Sequence, residues 1–292
     1  MTKILCAASN DFIFSYLSES QCESFYKPWV IKNSFFSKIF KGISCFLSFF
    51  NLESLFFGKW KKEIKQNTYI VLDEVGLHRD LVKFINKHKN KFCIYLANPV
   101  KSVSGKNNLS RFKCPVYTFD ELDAKKFNFR YYHYFLPFIE PAEKEDVIYD
   151  FMFVGLNKGR KECIDYMLKN LKGYSSYIKI AEGRYPLKYK DYINILHSSK
   201  CIIEILQSQQ TGITLRTIES LYYSKKLITN NENVVNFPFY NSSNIYIIKN
   251  TKDINFSEIR SFMNKKQETI NEFLFNEYKC DEWINHFNKE IF

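Results

Sequence analysis

Residues 201–231, CIIEILQSQQTGITLRTIESLYYSKKLITNN, decide the fold. Residues 201–206 are a short aliphatic run suited to a buried strand, a Gln-rich polar turn follows, and Gly212 lets the backbone approach a partner closely. A helix opens near Thr214 and runs over 215–223. Residues 226–229 read as a second strand that stops at Asn230 and Asn231. Strand, turn, helix and strand with short connections is the unit of a parallel α/β sheet, because parallel strands need a crossover and the helix supplies it. The first N–H groups of such a helix lack intrahelical partners and, with the helix dipole, favour a phosphate. Arg216 and Glu219 stand three residues apart and share a helix face. A guanidinium there suits a diphosphate, and a carboxylate one turn on can accept both hydroxyls of a ribose. The same spacing also describes a surface ion pair, and the residues alone leave both readings open.

The pattern extends upstream. Residues 151–154 and 177–180 read as strands, 160–171 and 189–197 as helices, and the polar stretch 140–146 as a linker. Before it, strands at 3–8, 69–72 and 92–96 flank a helix at 79–88, and Asn98-Pro99 ends the third strand because proline donates nothing to a ladder. The tail 257–292 is helical by composition, with Trp283, Phe287 and Ile291 at helical spacing. These elements predict an α/β protein of three parts: an N-terminal Rossmann-like domain 1–145, a C-terminal Rossmann-like domain 146–256, and helices 257–292 that pack back on the first domain.

The chain has 292 residues, 46% of them hydrophobic and 18% aromatic, which excludes disorder and suits two packed domains. A net charge of +11 calls for an anionic partner or reflects a Lys-rich composition spread evenly along the chain. The 8 cysteines form no C-x-x-C pair and no zinc spacing, and no D-x-D motif is placed to hold a metal, so no metal and no cofactor are expected. The N-terminus lacks a signal-peptide pattern, which predicts a cytoplasmic protein. Residues 35–51 form an amphipathic wheel with Phe36, Phe40, Ile43, Leu47 and Phe50 on one stripe. That segment is too short and too charged to span a bilayer. It reads either as a helix covering the first sheet or as a contact with the cytoplasmic face of the inner membrane. Aromatic residues interleaved with basic ones around 127–134 suit base stacking, but no nucleic-acid module is present and no nucleic-acid partner is expected.

Other candidate residues lie where strands end. The turn 155–160, GLNKGR, offers Gly155, Lys158 and Arg160 to a phosphate, or is an ordinary βα turn. Glu182 and Arg184 follow a strand and can contact a ligand held at the strand ends. A general base needs a carboxylate or His near the group it deprotonates, and loops at the carboxyl ends of the first-domain strands supply Asp11, Asp73, Glu74 and His78, of which Asp11 and Glu74 are the candidates for a catalytic role.

Several phrases resemble known families. Glu219-Ser220-Leu221 followed by Lys225 to Asn230 looks like the helix and strand of nucleotide-sugar-dependent glycosyltransferases of the two-Rossmann-domain type, GT-B. More narrowly, Tyr117-Thr118-Phe119-Asp120 with Asp123, Ala124 and Phe127 is similar to a recurring phrase of bacterial lipopolysaccharide and capsule biosynthesis proteins. So are Tyr149 to Gly155 with Arg160, the set Gln210, Gly212, Thr214, Arg216 and Glu219, and Phe239-Tyr240-Asn241 with Asn244-Ile245. The resemblance covers roughly residues 69–248. It implies two Rossmann-like domains facing each other across a cleft and transfer of a sugar from a nucleotide-sugar donor to a lipid-linked or oligosaccharide acceptor. It implies donor contacts from Gly155, Arg160, Gln210, Gly212, Thr214, Arg216 and Glu219, to which Glu182 is added by its place after a strand. The alternatives are a non-catalytic polysaccharide-assembly protein of the same fold and a basic nucleic-acid-binding protein. One departure stands out: Glu204 occupies a strand end where the family usually has Asp.

Overall fold

The computed structural model describes residues 1–9, 12–28, 55–139, 146–183, 185–207 and 210–291. The chain divides into two compact units, Met1–Pro137 with Cys280–Phe292, and Phe138–Lys279. The amphipathic stretch 35–51 lies outside the described residues, as does most of the expected linker. Among the described residues no helix is long and apolar enough to cross a membrane.

The first unit holds a parallel sheet of β1 (Thr2–Cys6), β2 (Cys22–Ser24), β3 (Thr68–Leu72), β4 (Phe92–Leu96), β5 (Val116–Thr118) and β6 (Arg130–Tyr131), in the order β2-β1-β3-β4-β5-β6. Strands β1 and β4 are buried at every position, and β3 at all but its first. That is why they read as unbroken apolar runs: a parallel strand covered on both faces does not alternate. Strands β2, β5 and β6 escaped the sequence reading because two or three residues carry no period. Helix α1 (Arg79–Lys87) buries Leu81, Val82 and Ile85. An aromatic cluster fills one side of the sheet. Trp60 is fully buried, donates from Nε1 to the Phe25 carbonyl at 2.8 Å, and accepts at its own carbonyl from the Tyr69 hydroxyl at 2.9 Å. Phe25, Phe57, Phe84 and Phe92 close around it. Helix α2 (Glu121–Phe127) starts at Asp120, whose carboxylate caps the N–H groups of Leu122 and Asp123, while Asp123 accepts from the Val100 N–H at 2.7 Å. The acids of the Phe119-Asp120 phrase therefore hold backbone here.

The second unit is a parallel sheet of β7 (Tyr149–Leu156), β8 (Ser176–Ala181), β9 (Ser199–Glu204), β10 (Lys226–Thr229) and β11 (Ile245–Ile247), in the order β11-β10-β9-β7-β8. Its helices are α3 (Lys161–Asn170), α4 (Tyr189–His197), α5 (Leu215–Tyr222) and α6 (Phe256–Asn264). Phe151, Phe153, Ile164, Met167, Ile203, Ile228, Ile259 and Phe262 share one core. Lys226, buried at 6% exposure, points its ammonium at the carbonyls of Phe262, Met263 and Lys265, which closes the carboxyl end of α6. Asn244 exchanges two hydrogen bonds with the backbone of Glu268, at 2.8 and 2.9 Å. Residues 257–279 thus stay with the second unit, and the return to the first begins at Cys280, later than the expected 257.

That return is helix α7 (Cys280–Glu290). Trp283 is fully buried, donates to the His133 carbonyl at 2.7 Å and packs on Tyr95 and Phe287. Cys280, Trp283, Ile284 and Phe287 are its buried residues; of the three residues whose spacing predicted the helix, Trp283 and Phe287 are among them, and Ile291 lies just past its end, half-buried.

Each sheet has one point where the strand order reverses. In the first unit the chain leaves β1 for β2 on one side and reaches β3 on the other, and in the second β7 is flanked by β8 and β9. The carboxyl ends of such strands open a crevice between diverging loops, which is where ligands bind in open α/β sheets.

Candidate functional site

The reversal point of the second unit lies between the ends of β7 and β9, and the residues singled out in the sequence gather around it. After β7 the turn carries Lys158 and Gly159 at φ +43° and +81°. Its amides are used locally, since the Arg160 N–H donates to the Asn157 carbonyl and the Lys161 N–H to Asn157 Oδ1. With these two amides bonded within the turn, its contribution to the strand ends is the Arg160 side chain. Glu182 is exposed and accepts from Asn157 Nδ2 at 2.7 Å, which ties the loop after β8 to the same turn. Arg184 and Asp11 lie outside the described residues.

Two guanidinium groups lie here. Arg160 is 7% exposed and its Nε has no hydrogen-bond partner. Burial, and next the charge of Arg216, lower its pKa to about 10, against the pull of Glu204 and Tyr185. Arg216, in the first turn of α5, donates from Nη2 to the Val154 carbonyl at 2.6 Å and lies over the Phe153 ring at 5.0 Å. Its Nε too is buried without a partner. Burial opposes the Arg216 charge, but Tyr185, Tyr192, Glu204 and Glu219 outweigh it and raise the pKa. Gly155 makes the approach possible, because a Cβ there would stand 2.3 Å from Arg216 Nη2. Gln210 adds a buried Oε1 without a partner. Unpartnered buried polar atoms are rare in folded proteins, and two guanidinium Nε atoms whose charges act on each other call for an acceptor.

The helix start is built by Thr214, the N-cap of α5, which accepts from the Arg216 N–H at 3.1 Å and donates to Glu204. Gly212 lends its carbonyl to Asn231 Nδ2 at 3.3 Å. Glu219 is 2% exposed, and its two oxygens accept from the hydroxyls of Tyr189 and Tyr192, both at 2.7 Å. Burial raises its pKa, while the two phenols and Arg216 act the other way. The carboxylate that the spacing offered to a ribose is enclosed by tyrosines, and Glu219 is part of the packed interior rather than an open wall.

Sequence reasoning missed Tyr185, Tyr189, Tyr192, Thr217 and Thr229. The i, i+3 spacing of Tyr189 and Tyr192 and of Thr214 and Thr217 was the available signal. Tyr185 donates to the Val154 carbonyl at 3.1 Å, sharing that acceptor with Arg216. Glu204 is fully buried and accepts from Thr214, from Thr217 at 3.0 Å and from Thr229 at 2.6 Å.

In the first unit Glu74 follows β3, is exposed, and accepts from the Ala7 N–H at 3.0 Å across the reversal point. Its neighbour Asp73 is 3% exposed and accepts from the Ala97 N–H at 2.7 Å and from Asn98 Nδ2 at 3.1 Å. Burial raises the Asp73 pKa to about 6.

No family model matches the sequence, and no curated protein matches it. Among solved structures the chain is similar to a DNA-modifying β-glucosyltransferase determined in the presence and absence of its substrate uridine diphosphoglucose. The TM-score is 0.52 at 12% identity, over 100% of this chain and 99% of that one. At that identity the likeness speaks for the fold: the chain has the GT-B architecture of two Rossmann-like α/β units.

Proposed function

We propose that the protein is a glycosyltransferase that moves a sugar from a nucleotide-activated donor, held by the second unit, to a growing bacterial surface glycan, a lipopolysaccharide or capsule. The observation that carries this reading is the pair of guanidinium groups of buried Arg160 and half-buried Arg216, whose buried Nε atoms have no acceptor at the reversal point of a parallel sheet. A diphosphate supplies the missing acceptors and relieves the repulsion between the two cations. The GT-B fold supports the reaction class, and the phrases shared with lipopolysaccharide and capsule proteins support the acceptor class.

In the reaction the bond from the anomeric carbon to the diphosphate oxygen breaks, and negative charge grows on that oxygen. Guanidinium groups already oriented in a water-poor site stabilise this charge without reorganising. Gln210, Gly212, Thr214, Gly155, Glu182 and Glu219 complete the proposed donor site, Thr214 and Glu219 by shaping α5. A carboxylate of the first unit, Asp11 or Glu74, takes the acceptor proton. The nucleotide sugar is a substrate, and neither metal nor cofactor enters the proposal. Residues 35–51 are the proposed contact with the cytoplasmic face of the membrane that carries a lipid-linked acceptor.

The test is a thermal-shift panel of UDP-, GDP-, ADP- and CMP-sugars. One nucleotide class should raise the melting temperature, since a ligand at 100 times its Kd adds about 2.7 kcal/mol to the native state. Transfer is then followed to a lipid-linked glycan and to DNA, the latter because the similar structure is of a DNA-modifying enzyme and this chain carries a net charge of +11. Absence of stabilisation by every nucleotide sugar overturns the reading, and transfer to DNA alone replaces the proposed acceptor.

A further inference from the structure

Glu204 and Glu219 are buried at 0% and 2% exposure, close enough for both to influence Arg216. Unlike charges attract strongly where water is scarce. Yet among the described residues neither carboxylate forms an ion pair with Arg160 or Arg216. The hydrogen bonds explain the separation. Glu204 accepts from the hydroxyls of Thr214, Thr217 and Thr229, which come from the cap of α5, its first turn and the end of β10. Glu219 accepts from Tyr189 on one oxygen and Tyr192 on the other. The three threonine hydroxyls thus fill the acceptor sites of Glu204, and the two phenols fix the Glu219 carboxylate by one bond on each oxygen. Thr214 shows how tightly this is set: its single proton goes to Glu204, so its oxygen must face the Arg216 N–H.

Resting on the diphosphate reading above, we infer that the hydroxyls of Thr214, Thr217, Thr229, Tyr189 and Tyr192 are positioning groups that hold Glu204 and Glu219 in place and so keep the Nε atoms of Arg160 and Arg216 open to the donor's diphosphate. The carboxylates still support the cations through space. What the hydroxyls remove is the competing contact, which an incoming phosphate would otherwise have to break.

The inference has a distinctive consequence. Removing one hydroxyl should harm anion binding, and removing the charge it restrains should repair the harm. Inorganic pyrophosphate is titrated calorimetrically into the wild type, Tyr192→Phe, and Tyr192→Phe with Glu219→Gln, with a melting curve for each. Tyr192→Phe should remain folded and bind about tenfold more weakly, because Arg216 turns to the freed oxygen of Glu219. The double variant, which has lost still more hydrogen bonding, should recover to within about threefold of the wild type, whereas a merely structural role predicts a further loss. Thr217→Val with and without Glu204→Gln puts the same question on the other carboxylate, should Tyr192→Phe melt early. Wild-type binding that Tyr192→Phe or Thr217→Val leaves unchanged, or a loss that the second substitution does not repair, overturns the inference alone. Failure of the wild type to bind pyrophosphate overturns the diphosphate reading itself, and this inference with it.

Discussion

Gly155 lies directly against Arg216: a side chain as small as a methyl group would stand 2.3 Å from the guanidinium Nη2, a distance at which something must move. Arg216 is the flexible partner, so it is the one to yield. Gly155→Ala should cost about 1–3 kcal/mol through the lost hydrogen bond to Val154 and leave the fold in place. Its larger effect should be on pyrophosphate affinity, lowered about tenfold as Arg216 is displaced. Calorimetry beside denaturant unfolding checks both numbers.

Glu219→Ala is expected to damage stability as well as donor binding. The sequence alone offers the residue to a ribose or to a surface ion pair. In the structure it is the acceptor for two buried phenols, and each orphaned hydroxyl costs about 1–3 kcal/mol. A fall of about 2–5 kcal/mol in unfolding free energy is expected, with Glu219→Gln falling less because its amide oxygen still accepts. A Glu219→Ala protein as stable as the wild type would place the carboxylate elsewhere.

Asp73 makes stability depend on pH with a defined sign. Its folded pKa of about 6 lies above the ordinary 3.8, with burial the cause, so the folded state holds the proton more tightly. The stabilising contribution is complete below about pH 4 and is lost as pH rises through about 6, a change on the order of 3 kcal/mol. Asp73→Asn cannot titrate. The difference in melting temperature between wild type and Asp73→Asn should therefore shift in favour of the variant between pH 4.5 and pH 7.5, and a constant difference would count against a buried, proton-holding Asp73.

Lys226→Met should cost about 2–4 kcal/mol, although lysine is ordinarily a surface residue with little effect. Its ammonium serves three carbonyls at the end of α6, and methionine fills the space without satisfying any of them. Hydrogen exchange should localise the loss to α6 and the residues that follow it. A uniform loss across the unit, or none, would contradict the capping role.

The sequence by itself determined the local alphabet of this protein. The unbroken apolar run 92–96 is a strand with the expected bounds because a strand buried on both faces dispenses with alternation, and 226–229 likewise begins and ends where expected. The helix of Trp283 and Phe287 was legible because both residues fall on one face at helical spacing and are buried together. The gathering of Arg216 and Thr214 at the start of α5 followed from chain proximity alone. Tertiary structure decided what each polar residue does. Spacing cannot tell whether the Glu219 carboxylate looks outward to a ribose or inward to Tyr189 and Tyr192, since those tyrosines are 30 and 27 residues away and meet it only through packing. Nor can it show that Gly155 exists to admit Arg216, or that Glu204 is held by threonines of both α5 and β10. A period of 3.6 or 2 residues encodes which side of an element is buried. Which buried group meets which is set by the crossovers that bring β7, β9 and β10 side by side, and that information is spread over the whole unit.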